Sequence, residues 1–166
     1  MDQNVKIIEK NINSMLECRN LKNIKIDSFE NNFNFENDEL QIFYINHLSI
    51  KNARTVSENY NSEKQILMLT NGNTTCQAKQ LLTNLNINIY TLDFFLYNPM
   101  EHPYSPKYIL LNEKESAELL KICKLKDLPK VLDSDIITIY FGAKINDIFK
   151  IIRKNTIYYR VVVAEK

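Results

Sequence analysis

Glycine is nearly missing from this 166-residue chain, which has only Gly72 and Gly142, where average usage near 7% would give about 12. The dinucleotide fingerprint and the Walker A loop each need several glycines close together so that backbone can approach phosphate, and these two stand far apart in sequence. Nucleotide binding by either route is excluded. Proline is scarce and uneven, since Pro99, Pro103 and Pro106 share one short stretch and only Pro129 lies elsewhere. A domain boundary is expected at that stretch. Net charge is also close to nil, with 21 Lys and Arg against 20 Asp and Glu, so no global field draws in nucleic acid or a membrane. The first hundred residues carry nine basic and eleven acidic side chains, the remainder twelve and nine, an asymmetry that ordinary solvated surface accounts for. Three cysteines, Cys18, Cys76 and Cys123, are an odd number at wide spacing. They form no paired-cysteine motif and are read as buried structural thiols in a reducing compartment. No apolar run approaches the roughly 20 residues of a membrane span. The charged opening MDQNVKIIEK lacks the apolar core of a secretory signal, so neither secretion nor such targeting is expected.

What is present is 45% hydrophobic and 25% charged, enough apolar material for one or two folded domains. Val5, Ile8, Ile12 and Leu16 recur at helical spacing with Lys6, Glu9 and Lys10 opposite, predicting an amphipathic opening helix. Residues 21–39 are rich in Asn, Asp and Glu, with Ile24, Ile26, Phe33 and Phe35 alternating as in weak strands. Gln41 to Ile50 and Gln65 to Thr70 read as strands. Asn71-Gly72-Asn73 is then expected to make a turn, with Thr74 capping a helix whose Gln77 completes a capping box and whose stripe is Ala78, Leu81, Leu82 and Leu85. Residues 87–97 return to strand composition. The order strand, helix, strand over 65–97 predicts an α/β first domain.

Beyond the prolines, Tyr108 to Leu111 is a strand candidate, and Asn112 with Glu115 caps a helix through Ala117, Leu120 and Cys123. A second helix should start near Asp135 and run through IITIYF to Gly142, which falls where a left-handed residue is wanted. Asp147–Arg153 and Ile157–Val163 are strands joined through Lys154-Asn155-Thr156, short enough for a hairpin. The chain therefore divides into an α/β domain over 1–98, a proline-rich linker over 99–107 and an α+β domain over 108–166.

Local signatures of catalysis are lacking: there is no GxSxG elbow, no HExxH helix and no cysteine finger. His47 and His102 are read as structural or solvent-facing. The acidic run Glu36-Asn37-Asp38-Glu39 reads as a solvated loop. A metal-dependent nuclease would use Asp93, expected in a strand, with Lys64 nearby, yet no second carboxylate is spaced to join them. The last quarter is richer, because Lys144, Lys150, Arg153, Lys154 and Arg160 interleave with Phe149, Tyr158 and Tyr159. That pattern fits a phosphate-contacting surface, a protein interface or the polar face of a ribbon.

Residues 128–144, LPKVLDSDIITIYFGAK, followed by DIFKIIRKNTIYYRVV, resemble the assembly domain of the H-type family of RNA polymerase subunits, found in archaea and shared by the eukaryotic nuclear polymerases. The matching positions are Leu128, Pro129, Lys130 and Val131, then Asp135, then Tyr140, Gly142 and Lys144, then Lys150, Ile151 and Arg153, then Tyr159, Arg160 and Val161. Upstream, His102, Pro106 and Lys107 and the helix with LLKICKL resemble the family as well. This sequence departs from the pattern at Ile136, where proline is usual, at Tyr108, where histidine is usual, at Asn146, where glycine is usual, and in a shortened last hairpin. The resemblance implies a non-catalytic subunit of a multisubunit DNA-directed RNA polymerase. Its C-terminal domain would dock on the largest subunit through Pro129, Asp135, Tyr140, Gly142, Lys144, Lys150, Arg153, Tyr159 and Arg160. The first hundred residues resemble in outline the jaw of the eukaryotic member, beside downstream DNA, with Lys51 and Arg54 as the DNA-proximal residues. No cofactor, metal, small-molecule ligand or membrane is implied, and the place of action would be a nucleus or a viral cytoplasmic factory. Two other readings stay open: a nuclease-like domain with its own hydrolytic activity, and a free-standing DNA-binding module.

Overall fold

The structure is a computed structural model that describes residues 3–29, 32–85, 87–154 and 156–165. It divides into two compact units, Met1–Tyr97 and Asn98–Lys166.

The first unit opens with helix α1 (Gln3–Cys18), which buries Ile8, Asn11, Ile12, Met15 and Leu16 on one face. Strands β1 (Phe33–Glu36), β2 (Leu40–Leu48), β3 (Gln65–Thr74) and β4 (Ile89–Thr91) follow in the sheet in that order. β1 is antiparallel to β2, whereas β2, β3 and β4 are mutually parallel. Helices α2 (Ile50–Asn59) and α3 (Cys76–Asn84) make the two crossovers. Parallel strands covered on both faces need apolar residues at successive positions, and Leu40–Tyr44 and Leu67–Thr70 are buried without a break. Phe43 and Met68 meet Ala53 and Val56 of α2 and Ala78 and Leu82 of α3 in one core cluster. Along α1, the buried Asn11 amide donates to the Phe95 carbonyl at 2.7 Å, tying the helix to the 3-10 turn Leu92–Leu96.

Several local expectations give way here. Helix α2 carries Asn, Thr, Ser and Val, poor helix formers that mask its pattern. It forms because Ser49 caps it and because Ala53 and Val56 bury against the sheet and α3. The Asn-Gly-Asn stretch is not a turn. Pairing with β2 carries β3 on to Thr74, the register slips by one residue between Thr70 and Asn73, and Gly72 takes φ +103° in that bulge. The cap moves to Thr75, whose hydroxyl accepts from the Ala78 N–H. After Thr91 the chain coils into a 3-10 turn, which places Asp93 outside any strand. Ile24 and Ile26 are buried, but residues 21–28 pair with no strand.

In the second unit, strands β5 (Lys107–Leu110), β6 (Lys130–Leu132), β7 (Ile148–Arg153) and β8 (Thr156–Val163) form a sheet in the order β5-β7-β8-β6. β7 is antiparallel to both β5 and β8, and β6 runs parallel to β8. Helix α4 (Glu113–Leu120) has the expected capping box between Asn112 and Glu115. Helix α5 (Ile136–Phe141) starts at Asp135 and ends at Gly142, whose φ of +63° is left-handed. Lys154 takes φ +51° in the hairpin connection; Asn155, expected in that turn, lies outside the described residues. The stretch expected as a linker is grouped with this unit. Asn98 caps a short 3-10 turn over Pro99–Glu101, and Lys107 already belongs to β5. None of the three cysteines is fully buried: Cys76 is exposed and Cys18 and Cys123 are half-buried. They lie at or near helix ends, which are less enclosed than the apolar stripes.

One buried side chain closes the α2 crossover. Gln41 donates from Nε2 to the Asn59 carbonyl and accepts at Oε1 from the Asn61 N–H, both at 2.9 Å. Leaving those two backbone groups without partners costs about 1–3 kcal/mol. Gln41→Met should therefore lower the unfolding free energy by about that amount in urea titrations, with little change in the native circular dichroism spectrum.

Candidate functional site

The residues singled out in the last quarter sit on a twisted sheet where side chains alternate between two faces. Register assigns them. Phe149 stands opposite Leu110 and Arg160, Ile151 opposite Tyr108 and Tyr158, and Arg153 opposite Thr156, so all of these share one face. Lys150 stands opposite Ile109 and Tyr159, and Ile152 opposite Lys107 and Ile157, which places that set on the other face. The nine expected docking residues therefore do not converge on one point.

The first face is anchored by Phe149, which is 1% exposed. Phe141 of α5 meets it edge-on at 5.4 Å and Tyr108 at 6.2 Å. The charges of Asp135, Arg153 and Arg160 bear on the ionisation of the Tyr108 phenol. Burial pushes the Tyr108 phenol up from its ordinary range, the Asp135 carboxylate adds to that, and the Arg160 and Arg153 guanidinium groups pull it partly back. Asp135 has a structural duty as well, because its carboxylate caps α5 by accepting from the Ile137 N–H at 2.9 Å. Arg153 and Arg160 are both exposed, so the cluster presents two cations and a half-buried phenol at the surface.

The remaining positions are dispersed. Pro129 is exposed just before β6, and its carbonyl accepts from the Val161 N–H at 2.9 Å. Tyr140 is fully buried. Ile137, one turn before it on α5, is buried as well. Gly142 ends α5, its N–H donating to the last-turn carbonyls of Thr138 and Ile139. The Lys144 N–H donates to Asp147 at 2.7 Å while its side chain is exposed. Lys150 and Tyr159 are both half-buried.

Sequence reasoning missed Tyr108 as part of the basic cluster. It also missed the apolar side chains that stay outside: Ile122 at 87%, Ile145 at 53% and Ile157 at 51% exposure. Counting strand positions in twos across 107–110, 148–153 and 156–163 would have found Tyr108. The exposed isoleucines carry no sequence signal, since their exposure depends on which face the helices leave bare.

In the first unit, Lys51 and Arg54 lie one turn apart on α2, exposed, opposite the buried Ala53 and Val56. Lys64 and Asp93 do not form a hydrolytic pair. The Lys64 ammonium is held by Glu36 at 2.7 Å and by the Asn37 carbonyl at 2.6 Å, and Asp93 is exposed on its turn. Among the described residues no group of three His, Cys, Asp or Glu is arranged to hold a metal ion. His47 and His102 are both exposed, and the His102 Nδ1 accepts from the Tyr104 N–H.

Comparison with known proteins bears on the same half of the chain. Residues 97–163 match the family model described as RNA polymerase Rpb5, C-terminal domain. The chain is similar to DNA-directed RNA polymerases I, II, and III subunit RPABC1 of Caenorhabditis elegans, with 34% identity over 115 residues, 62% of this chain and 54% of that protein. It is also similar to DNA-directed RNA polymerase subunit Rpo5 of Archaeoglobus fulgidus, with 40% identity over 70 residues, 38% of this chain and 92% of that protein. A further similarity is to subunit Rpo5 of Thermococcus kodakarensis, 34% over 76 residues and 93% of its length. The chain spans about half the length of the nematode relative it matches.

The Tyr108 phenol gives this face a pH dependence. Its pKa is raised in the folded chain, chiefly by burial, so its contribution is intact below the ordinary tyrosine pKa near 10 and is lost as pH rises through the folded value. Tyr108→Phe should flatten the fall in thermal stability above about pH 10 without altering it at neutral pH; an unchanged alkaline limb would contradict this assignment.

Proposed function

Because the chain belongs to the RNA polymerase Rpb5 family, the same family that its C-terminal motifs resemble, we propose that it is a non-catalytic subunit of a multisubunit DNA-directed RNA polymerase. In this reading the domain over 108–166 docks on the largest subunit, the segment 99–107 leads into it, and the domain over 1–98 forms a jaw beside downstream DNA. The observation that carries the reading is the continuous family match over 97–163. The surface of the second unit supports it. Of eleven large apolar side chains exposed among the described residues, eight lie there, including Leu132, Ile136, Ile145 and Ile157. Exposed apolar side chains concentrated on a small unit are what a permanent partner covers.

Docking would use both sheet faces and the helix end: Arg153 and Arg160 on one face, Lys150 and Tyr159 on the other, and Pro129, Asp135, Gly142 and Lys144 at the connections. Tyr140 would contribute by holding α5 in place. A surface fixed by strand pairing and capped helices loses little conformational entropy on docking. The jaw reading draws on the nematode similarity, which covers 62% of this chain and so reaches beyond the second unit. With nine basic against eleven acidic side chains in the first hundred residues, DNA contact would be local, through Lys51 and Arg54. The place of action follows from the enzyme it joins, a nucleus or a viral cytoplasmic factory.

Tagged chain recovered from its native source should bring down the two large polymerase subunits, and recovery without them would overturn the reading. Within that complex, Lys51→Ala with Arg54→Ala should reduce crosslinks from this chain to downstream DNA by at least about threefold, in line with a small number of phosphate contacts. Unchanged crosslinking would remove α2 from the DNA side.

A further inference from the structure

Among the described residues, one edge of the first unit's sheet is paired with no further strand. β1 is the outermost strand of its sheet and pairs on one side only. The Asn37 N–H bonds the Leu40 carbonyl at the end of the β1–β2 hairpin. Alternation along an antiparallel ladder then turns the N–H and C=O of Phe33 and Phe35 toward β2 and those of Asn34 and Glu36 away from the sheet. No hydrogen bond joins those outward groups to another described residue. The arm 24–28 lines a pocket with β1 but is held elsewhere: the Asn13 side chain donates to the Ile24 carbonyl at 2.9 Å and accepts from its N–H at 2.8 Å. Between the arm and β1 lies a slot of about 290 Å³. The slot reaches β1 at Phe33, Asn34 and Phe35, and Glu36 lies just beyond it.

The two faces of that edge differ in chemistry. Phe33 and Phe35 stand opposite Tyr44 and Ile42 and share their face, and with Ile24 and Ile26 they line the slot with apolar groups. Asn34 and Glu36 point to the other face and are exposed. The exposed charge around this edge is acidic on balance: Asp27 pairs with Lys25 at 3.8 Å and Glu36 with Lys64 at 2.7 Å, while Asp38 and Glu39, exposed in the hairpin connection just past β1, have no such cation against them among the described residues. We propose that the outer edge of β1 is a strand-addition site for an extended segment of another protein, apolar at alternate positions toward Phe33 and Phe35 and basic at the positions between. Main-chain pairing with Asn34 and Glu36 gives the register, and the acidic rim selects the charge. The site does not depend on the polymerase reading and can fail or hold without it.

The test uses the full chain and short synthetic peptides of alternating valine and lysine, or alternating valine and glutamate. The valine–lysine peptide should slow hydrogen exchange at the Asn34 and Glu36 amides and bind at least about tenfold more tightly than its acidic counterpart at low salt. Asn34→Pro removes an outward donor that the sheet does not use and should abolish binding. Asp27→Lys with Glu36→Lys, which leaves the backbone edge unaltered, should invert the preference between the peptides. Equal binding of both peptides, or binding that leaves Asn34 and Glu36 unprotected, would overturn the proposal. So would concentration-dependent self-association of the chain alone that protects the same two amides, which would give the edge to a second copy.

Discussion

The edge-on packing of Phe141 and Tyr108 on Phe149 is the contact on which the second unit depends. Each such ring pair adds about 0.5–1.5 kcal/mol beyond the area it buries. It also sets geometry, because α5 and β5 both lean on one residue of β7. With the Phe149 ring inward, strand alternation places Arg160 on the same face across the ladder, with Tyr158 and Arg153 beside it. A domain of about 60–70 residues buries only about 60% of the surface its unfolded chain exposes. Among the described residues of its α-helices, the six-residue α5 contributes buried side chains and α4 has none. Apolar groups such as Ile145 and Ile157 are left outside because the chain has too little material to cover both faces, and that remainder is what a partner can bury.

Glycine scarcity is answered by other residues. Besides Gly72 and Gly142, the left-handed region holds Asn20, Asn146 and Lys154. Asparagine tolerates that conformation better than most residues because its short amide can bond nearby backbone. Asn20 ends α1, where the Leu21 N–H returns to the Leu16 carbonyl in the manner of a glycine cap. Asn146, where glycine is usual in the family the chain resembles, takes φ +76°. Asparagine carries the left-handed backbone of that turn.

Much of the architecture is legible locally. The capping box at Asn112 and Glu115, the helix from Asp135 to Gly142 and the β7–β8 hairpin all rest on residues within a few positions of one another. What escaped needs long-range pairing. Helix α2 is too poor in helix formers to be read without the core that Ala53 and Val56 enter. Strand β6 is three residues long and exists through its parallel pairing to β8. The Asn71-Gly72-Asn73 signal marked a real backbone excursion, but strand pairing made it a bulge. The site divides similarly. Residue types at Lys150, Arg153, Tyr159 and Arg160 were visible, whereas their separation onto two faces, the burial of Tyr140 and the company of Tyr108 follow only from register.

In the proposed function, the second unit is the part of the chain that a polymerase covers. Hydrogen exchange measured on the full chain, free and within the purified polymerase, tests it most directly. This account predicts added protection along β6, the hairpin of β7 and β8, and the segment around Gly142 and Lys144. Protection confined to the first unit, with the second exchanging as it does in the free chain, would contradict it.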